Sequence, residues 1–210
     1  MNHLVILAHP NGEQSFNKAI FDTVVNASRE AGIDTVTRDL YRLAFNPVLS
    51  WTELQAANRG ITPAEIRAEQ QLISAADLIT LVYPLWWMGF PAILKGYLDR
   101  VLSHGFAYKT ENGTSVGLLQ GKKMQHFITI GNNVEKYQKL GFAQSLCDCL
   151  VNGLFNYCGI TDIQHKLFGD IHIIDRHARQ LLLEDAAQIT RQNLTALASH
   201  ATQGKGEHAR

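Results

Sequence analysis

The chain has 210 residues, 46% hydrophobic and 18% charged, with a formal net charge of zero. That length suits one packed domain, and the neutral balance argues against a nucleic-acid partner, which needs clustered Lys and Arg. Residues 1–200 read as a single domain, and the polar tail 201–210 is expected to be disordered.

Met1-Asn2-His3 runs straight into LVILA, with no basic n-region and no small-residue cleavage site. Leu4–Ala8 therefore reads as a strand of a cytoplasmic protein, covered on both faces, and not as a signal peptide. From Ser15 to Ala31 the apolar residues Phe16, Ala19, Ile20, Val24 and Ala27 share a helical face that ends at Gly32. Asp34–Leu40 is a second strand. After a loop carrying Pro47 and Trp51, Thr62-Pro63-Ala64-Glu65 offers an N-cap, an N1 proline and a capping-box glutamate for a helix to Ala76.

Asp77–Tyr83 is the third strand, and Pro91 opens a helix to Leu102. Met124–Ile130 is the fourth strand, followed by a loop and one helix from Phe142 to Tyr157, closed by Gly159. Asp162–Phe168 is the fifth strand, and a final helix starts at Arg176 and runs to Ser199. Five strands alternating with helices imply right-handed crossovers and a parallel sheet with helices on both faces, a three-layer α/β domain. Cys147, Cys149 and Cys158 read as free thiols, since helical positions two apart face away from each other.

Leu78–Leu94 carries no charged side chain, yet Pro84, Gly89 and Pro91 would break a membrane helix three times. A strand, a tight loop and a helix start account for the same residues. In an open parallel sheet, ligands bind beyond the carboxyl ends of the strands. Three unusual loops fall there: His9–Asn17, Pro84–Phe90 and Gly131–Tyr137. The first leads into a helix N-terminus that favours an anion, with Ser15 and Asn17 either adding donors or serving as plain caps. In the second, Trp86 and Trp87 cannot easily both point inward, and bare amides beside broad apolar surface suit a flat heteroaromatic ring. The glycine and asparagines of the third are either turn formers or amides for the other end of that ring. His165, His172 and His177 lack the spacing of a zinc site, so no metal is expected.

AHPNGEQSFN, DLYRLAFNPVLS at 39–50, AEQQLISAADLI at 68–79, YPLWWMGFPAILKGYLDRVLSHGFAY at 83–108 and TIGNNVEKY at 129–137 resemble the flavodoxin-like NAD(P)H:quinone oxidoreductases, in order and spacing over residues 3–195. The resemblance implies a flavodoxin-like sheet of strand order 2-1-3-4-5 and a flavin cofactor, FAD in preference to FMN, with NAD(P)H as co-substrate. It implies that His9, Ser15, Phe16 and Asn17 hold the ribityl and phosphate groups, with Arg179 at the pyrophosphate. Pro84, Leu85, Trp86, Trp87, Met88 and Gly89 would line the isoalloxazine ring, and Thr129, Ile130, Gly131 and Asn132 its pyrimidine edge. Tyr137 would sit near the flavin O2, and Tyr108 would line the acceptor cavity from the partner subunit of a homodimer.

Two positions depart from the family pattern. Ala143 stands where mammalian quinone reductase has a catalytic histidine, and Thr110 where it has a second cavity tyrosine. The implied activity is two-electron reduction of quinones or similar acceptors by alternating hydride transfer. A second reading is a regulatory flavoprotein of a potassium-efflux system, with Trp51 and the Tyr41–Ser50 loop as a docking surface.

Overall fold

The computed structural model describes residues 1–57 and 59–207, with side chains given through residue 199. The predicted disordered tail, 201–210, lies outside the residues described to side-chain level. Five strands form one parallel sheet: β1 (Asn2–Leu7), β2 (Asp34–Asp39), β3 (Leu78–Pro84), β6 (Lys123–Thr129) and β7 (Asp162–Phe168). Their order is β2-β1-β3-β6-β7, as expected from the resemblance once a small hairpin is numbered between the third and fourth sheet strands.

Period-two alternation divides the strand residues between two cores. Val5, Leu7, Val82, Phe127 and Phe168 pack under α1 (Phe16–Glu30) and α8 (Arg176–Glu207). Leu4, Ile6, Ile79, Leu81, Tyr83 and Ile128 face the other layer. That layer holds α3 (Ala64–Ala75), α4 (Ala92–Val101) and a broken helix at 142–157. The apolar run Leu78–Tyr83 is buried throughout because the central strand β3 is covered on both faces. No described helix is long and apolar enough to cross a membrane.

Three local expectations need correcting. The stretch after β6 is not all loop: α5 (Val134–Lys139) starts there, because Asn133 Oδ1 accepts from the Lys136 N–H at 3.2 Å. The single helix expected over 142–157 is three pieces: α6 (Phe142–Leu146), a π-helical turn (Cys147–Gly153) and α7 (Leu154–Tyr157). Gly153 permits the wide turn, since a Cβ there would come 2.5 Å from the Asp148 carbonyl oxygen. At α3 no side-chain cap bond forms, and Glu65 instead meets Arg100 at 3.0 Å.

Two elements were also missed. A hairpin of β4 (Tyr108–Glu111) and β5 (Thr114–Gly117) turns at Asn112-Gly113, both with positive φ, the preferred type I′ pair. Helix α2 (Trp51–Ala57) forms in the loop after β2. Buried Arg100 pins that region, donating to Glu53 at 2.9 Å and to the Asn46 carbonyl at 2.8 Å. Pro47 lies so close to α4 that a Cβ at Gly96 would collide with its backbone.

Candidate active site

The strand order reverses direction at β1, so the crevice between β1 and β3 opens at their carboxyl ends. The loop after β1 is built from its own side chains. Asn11 Oδ1 accepts from the Glu13 and Gln14 N–H groups at 3.3 and 3.0 Å, and His9 Nδ1 accepts from the Asn11 N–H at 3.1 Å. Desolvation lowers the His9 pKa, opposed by its contact with the Asn11 carbonyl. Ser15 takes the plain-cap role, accepting from the Lys18 N–H at 3.1 Å. Among the described residues, the N–H groups of Phe16 and Asn17 have no acceptor at the positive end of this 15-residue helix.

Asn17 bridges this loop to β6, donating through Nδ2 to Thr129 Oγ1 at 2.9 Å. Its Oδ1 is buried without a hydrogen-bond partner. A buried unpaired amide oxygen is costly, and a hydroxyl-bearing ligand in the crevice would complete it. Arg179 also comes to this end. Its guanidinium lies 5.9 Å from the Phe16 ring centre and donates to the Ile171 carbonyl at 2.8 Å.

The second loop is a two-residue hairpin closed by Gly89 N–H to Trp86 O at 2.9 Å and Trp86 N–H to Gly89 O at 3.1 Å. Its central residues, Trp87 and Met88, have φ of 51° and 58°. Left-handed backbone costs an L-residue roughly 1–2 kcal/mol, and Asn-Gly is the usual occupant of such a turn. The turn leaves the Trp87 and Met88 N–H groups without a protein acceptor among the described residues. Neither tryptophan is buried: Trp86 is 43% exposed and Trp87 fully so. The Trp86 ring centre lies 6.2 Å from that of His9, which joins the first two loops.

Pro84, Leu85, Thr129 and Ile130 are buried, with Leu85 N–H donating to Thr129 O at 2.8 Å. Gly131 and Asn132 are exposed at the end of β6. Tyr137 follows on α5, its ring centre 5.7 Å from that of Phe142. Tyr108 lies elsewhere, with Leu98, Leu102, Leu154 and Tyr157 around a cavity of about 320 Å³ that includes no residue of the three loops. Its ring packs 5.0 Å from Tyr157. His165 meets Cys147 Sγ at 3.8 Å, away from His172, which lies beside Gly131.

Sequence reasoning missed the loop after β7, which reaches the same edge. The carboxyl-end rule applied to the fifth strand points to it. The arrangement can hold an anion at α1, a broad apolar ring against Trp86 and Trp87, and polar ring edges at free amides.

An uncharacterized NAD(P)H oxidoreductase of Haemophilus influenzae is 63% identical over 197 residues, spanning 94% of this chain and 98% of its own. NAD(P)H dehydrogenase (quinone) 1 of Rattus norvegicus is 32% identical over 201 residues, spanning 86% and 73%. The solved NAD(P)H:quinone oxidoreductase of Methanothermobacter marburgensis superposes with a TM-score of 0.81 at 26% identity, over 91% of this chain and 96% of that one. The flavodoxin-like fold family matches residues 1–194, and the chain belongs to it.

Proposed function

We propose that the chain is a flavin-dependent NAD(P)H:quinone oxidoreductase that reduces quinones or similar acceptors by two electrons in alternating half-reactions. The observation that carries this reading is the strained Trp87-Met88 turn, which holds two free N–H groups and an exposed indole at the strand-order switch. The names of the similar proteins supply the substrate class.

When bound, the isoalloxazine ring supplies the chemistry, accepting a hydride from NAD(P)H and passing it to the acceptor. The residues bind and orient it. The α1 N-terminus takes phosphate, Asn17 Oδ1 accepts from a ribityl hydroxyl, and Trp86 and Trp87 give apolar cover. The amides of Gly131 and Asn132, with the Tyr137 hydroxyl, are the donors for charge that builds on the pyrimidine side. Arg179 beside Phe16 favours a second phosphate and hence FAD over FMN. Tyr108 serves the partner's crevice in a homodimer, since it stands apart from its own.

Purified protein should be yellow, and heat release followed by chromatography beside both flavins identifies the cofactor. Steady-state lines across acceptor concentrations should run parallel, and intersecting lines would exclude the alternating scheme. Tyr108→Ala should lower acceptor turnover about tenfold or more while leaving flavin content near normal.

A further inference from the structure

β7 ends at Phe168, on the same edge as β1, β3 and β6, so the segment 169–175 forms a fourth wall of the crevice. It is held in an unusual shape. Asp170 has a φ of 56°, and a Cβ at Gly169 would come 2.8 Å from the Asn132 carbonyl oxygen and from Val134. Asp170 N–H donates to Asn132 O at 3.0 Å, and its carboxylate accepts from Asn133 Nδ2 at 2.7 Å. Its carbonyl accepts from the N–H groups of Ile173 and Ile174 at 2.9 and 3.1 Å. A left-handed aspartate costs on the order of 1 kcal/mol, and it persists here because four hydrogen bonds hold it.

The result is the placement of His172. Its imidazole lies over Gly131, with Cδ2 and Nε2 at 3.4 and 3.5 Å from where a Cβ of that residue would stand. The side chain is exposed, and neither ring nitrogen has a hydrogen-bond partner among the described residues. An imidazole carries at least one N–H donor in any protonation state. Gly131 and Asn132 bring no charge to this edge, and the Asn132 carbonyl is already engaged by Asp170. His172 is therefore an ionisable side chain, free of any ring-nitrogen partner among the described residues, that the fold lays against Gly131.

We propose that His172, delivered by the Asp170 clamp, donates a hydrogen bond to the polar edge of the flavin at Gly131 and stabilises the negative charge that reduction places there. This rests on the flavin reading above. A donor placed at developing charge favours the reduced ring over the oxidised one, because an anion accepts a stronger hydrogen bond than a neutral carbonyl. The tethering belongs to Asp170 and Asn133, so the histidine is free to act on the ligand without carrying the loop.

The test is the midpoint potential of the bound flavin in wild type, His172→Ala and His172→Gln, with flavin stoichiometry and Tm measured on the same samples. His172→Ala should keep its flavin and its Tm, while the affinity ratio of reduced to oxidised flavin falls about tenfold, or about 30 mV for a two-electron couple. Glutamine retains an N–H donor and should recover much of that loss. An unchanged potential in a flavin-loaded alanine variant overturns the role of His172 and leaves the flavin reading standing. Wild-type protein that binds neither FAD nor FMN overturns both.

Discussion

The two ends of this sheet treat polar side chains in opposite ways. Toward the amino ends of the strands, a chain of buried groups is satisfied link by link. His3 meets Ser28 at 2.9 Å and Thr80 at 2.6 Å. Gln125 donates to Thr80 and Thr190 at 2.8 and 3.0 Å and accepts from Asn193 at 2.7 Å. At the carboxyl edge the pattern reverses, with Asn17 Oδ1, the amides of Trp87 and Met88, and the His172 ring nitrogens all without a partner among the described residues. His126 Nε2 is the interior exception. Satisfied networks specify a unique core, whereas unsatisfied groups gathered at one edge await a ligand.

The sharpest way to break the interior side of this comparison is acid. Burial lowers the pKa of both His3 and His126 from 6.5 to about 3, with His165 adding to the effect at His126. Below about pH 6.5 both imidazoles take up a proton in the unfolded chain, while the folded protein holds none until about pH 3. Stability therefore falls as pH drops through that window, by about 1.4 kcal/mol per pH unit per histidine. Urea denaturation at pH 6.5 and 5 should differ by about 3 kcal/mol, and a flat profile would show that the two rings are not buried neutral.

Removing one link should cost less. Gln125→Leu strands the Asn193 amide and removes the bonds to Thr80 and Thr190, for a loss of about 2–3 kcal/mol. Flavin content at 25 °C should stay unchanged, because the network lies away from the crevice. Loss of flavin without loss of stability would place Gln125 in the wrong region.

The smallest stability effect belongs to the edge. Trp87→Gly removes the left-handed penalty, so denaturation should show no loss and up to about 1 kcal/mol of gain. The same variant loses the indole surface, and its flavin should dissociate more readily, read as fluorescence recovered on dilution. A destabilised Trp87→Gly protein with tightly held flavin would mean that the turn serves the fold and not the ligand.

The local parts of the site were legible in the sequence. Adjacent tryptophans in a turn cannot both enter a core, and both are exposed. The strands were legible because burial on both faces demands continuous apolar runs such as Leu4–Ala8. The hairpin escaped notice because four-residue strands carry little periodicity, although Asn112-Gly113 is a strong turn signal. The π turn escaped because a widened helix keeps its apolar spacing almost intact and only Gly153 marks it.

By itself, then, the sequence determined the layer architecture, the strand spans and the first two walls of the crevice, since each depends on periodicity or on neighbours close in the chain. Tertiary structure alone decided the rest. Asn17 finds Thr129 across 112 residues, Arg179 is brought over Phe16, and Asp170 clamps Asn132 and Asn133 to set His172 above Gly131. These contacts join residues whose separation carries no period, and only strand order and crossover direction bring them to one edge.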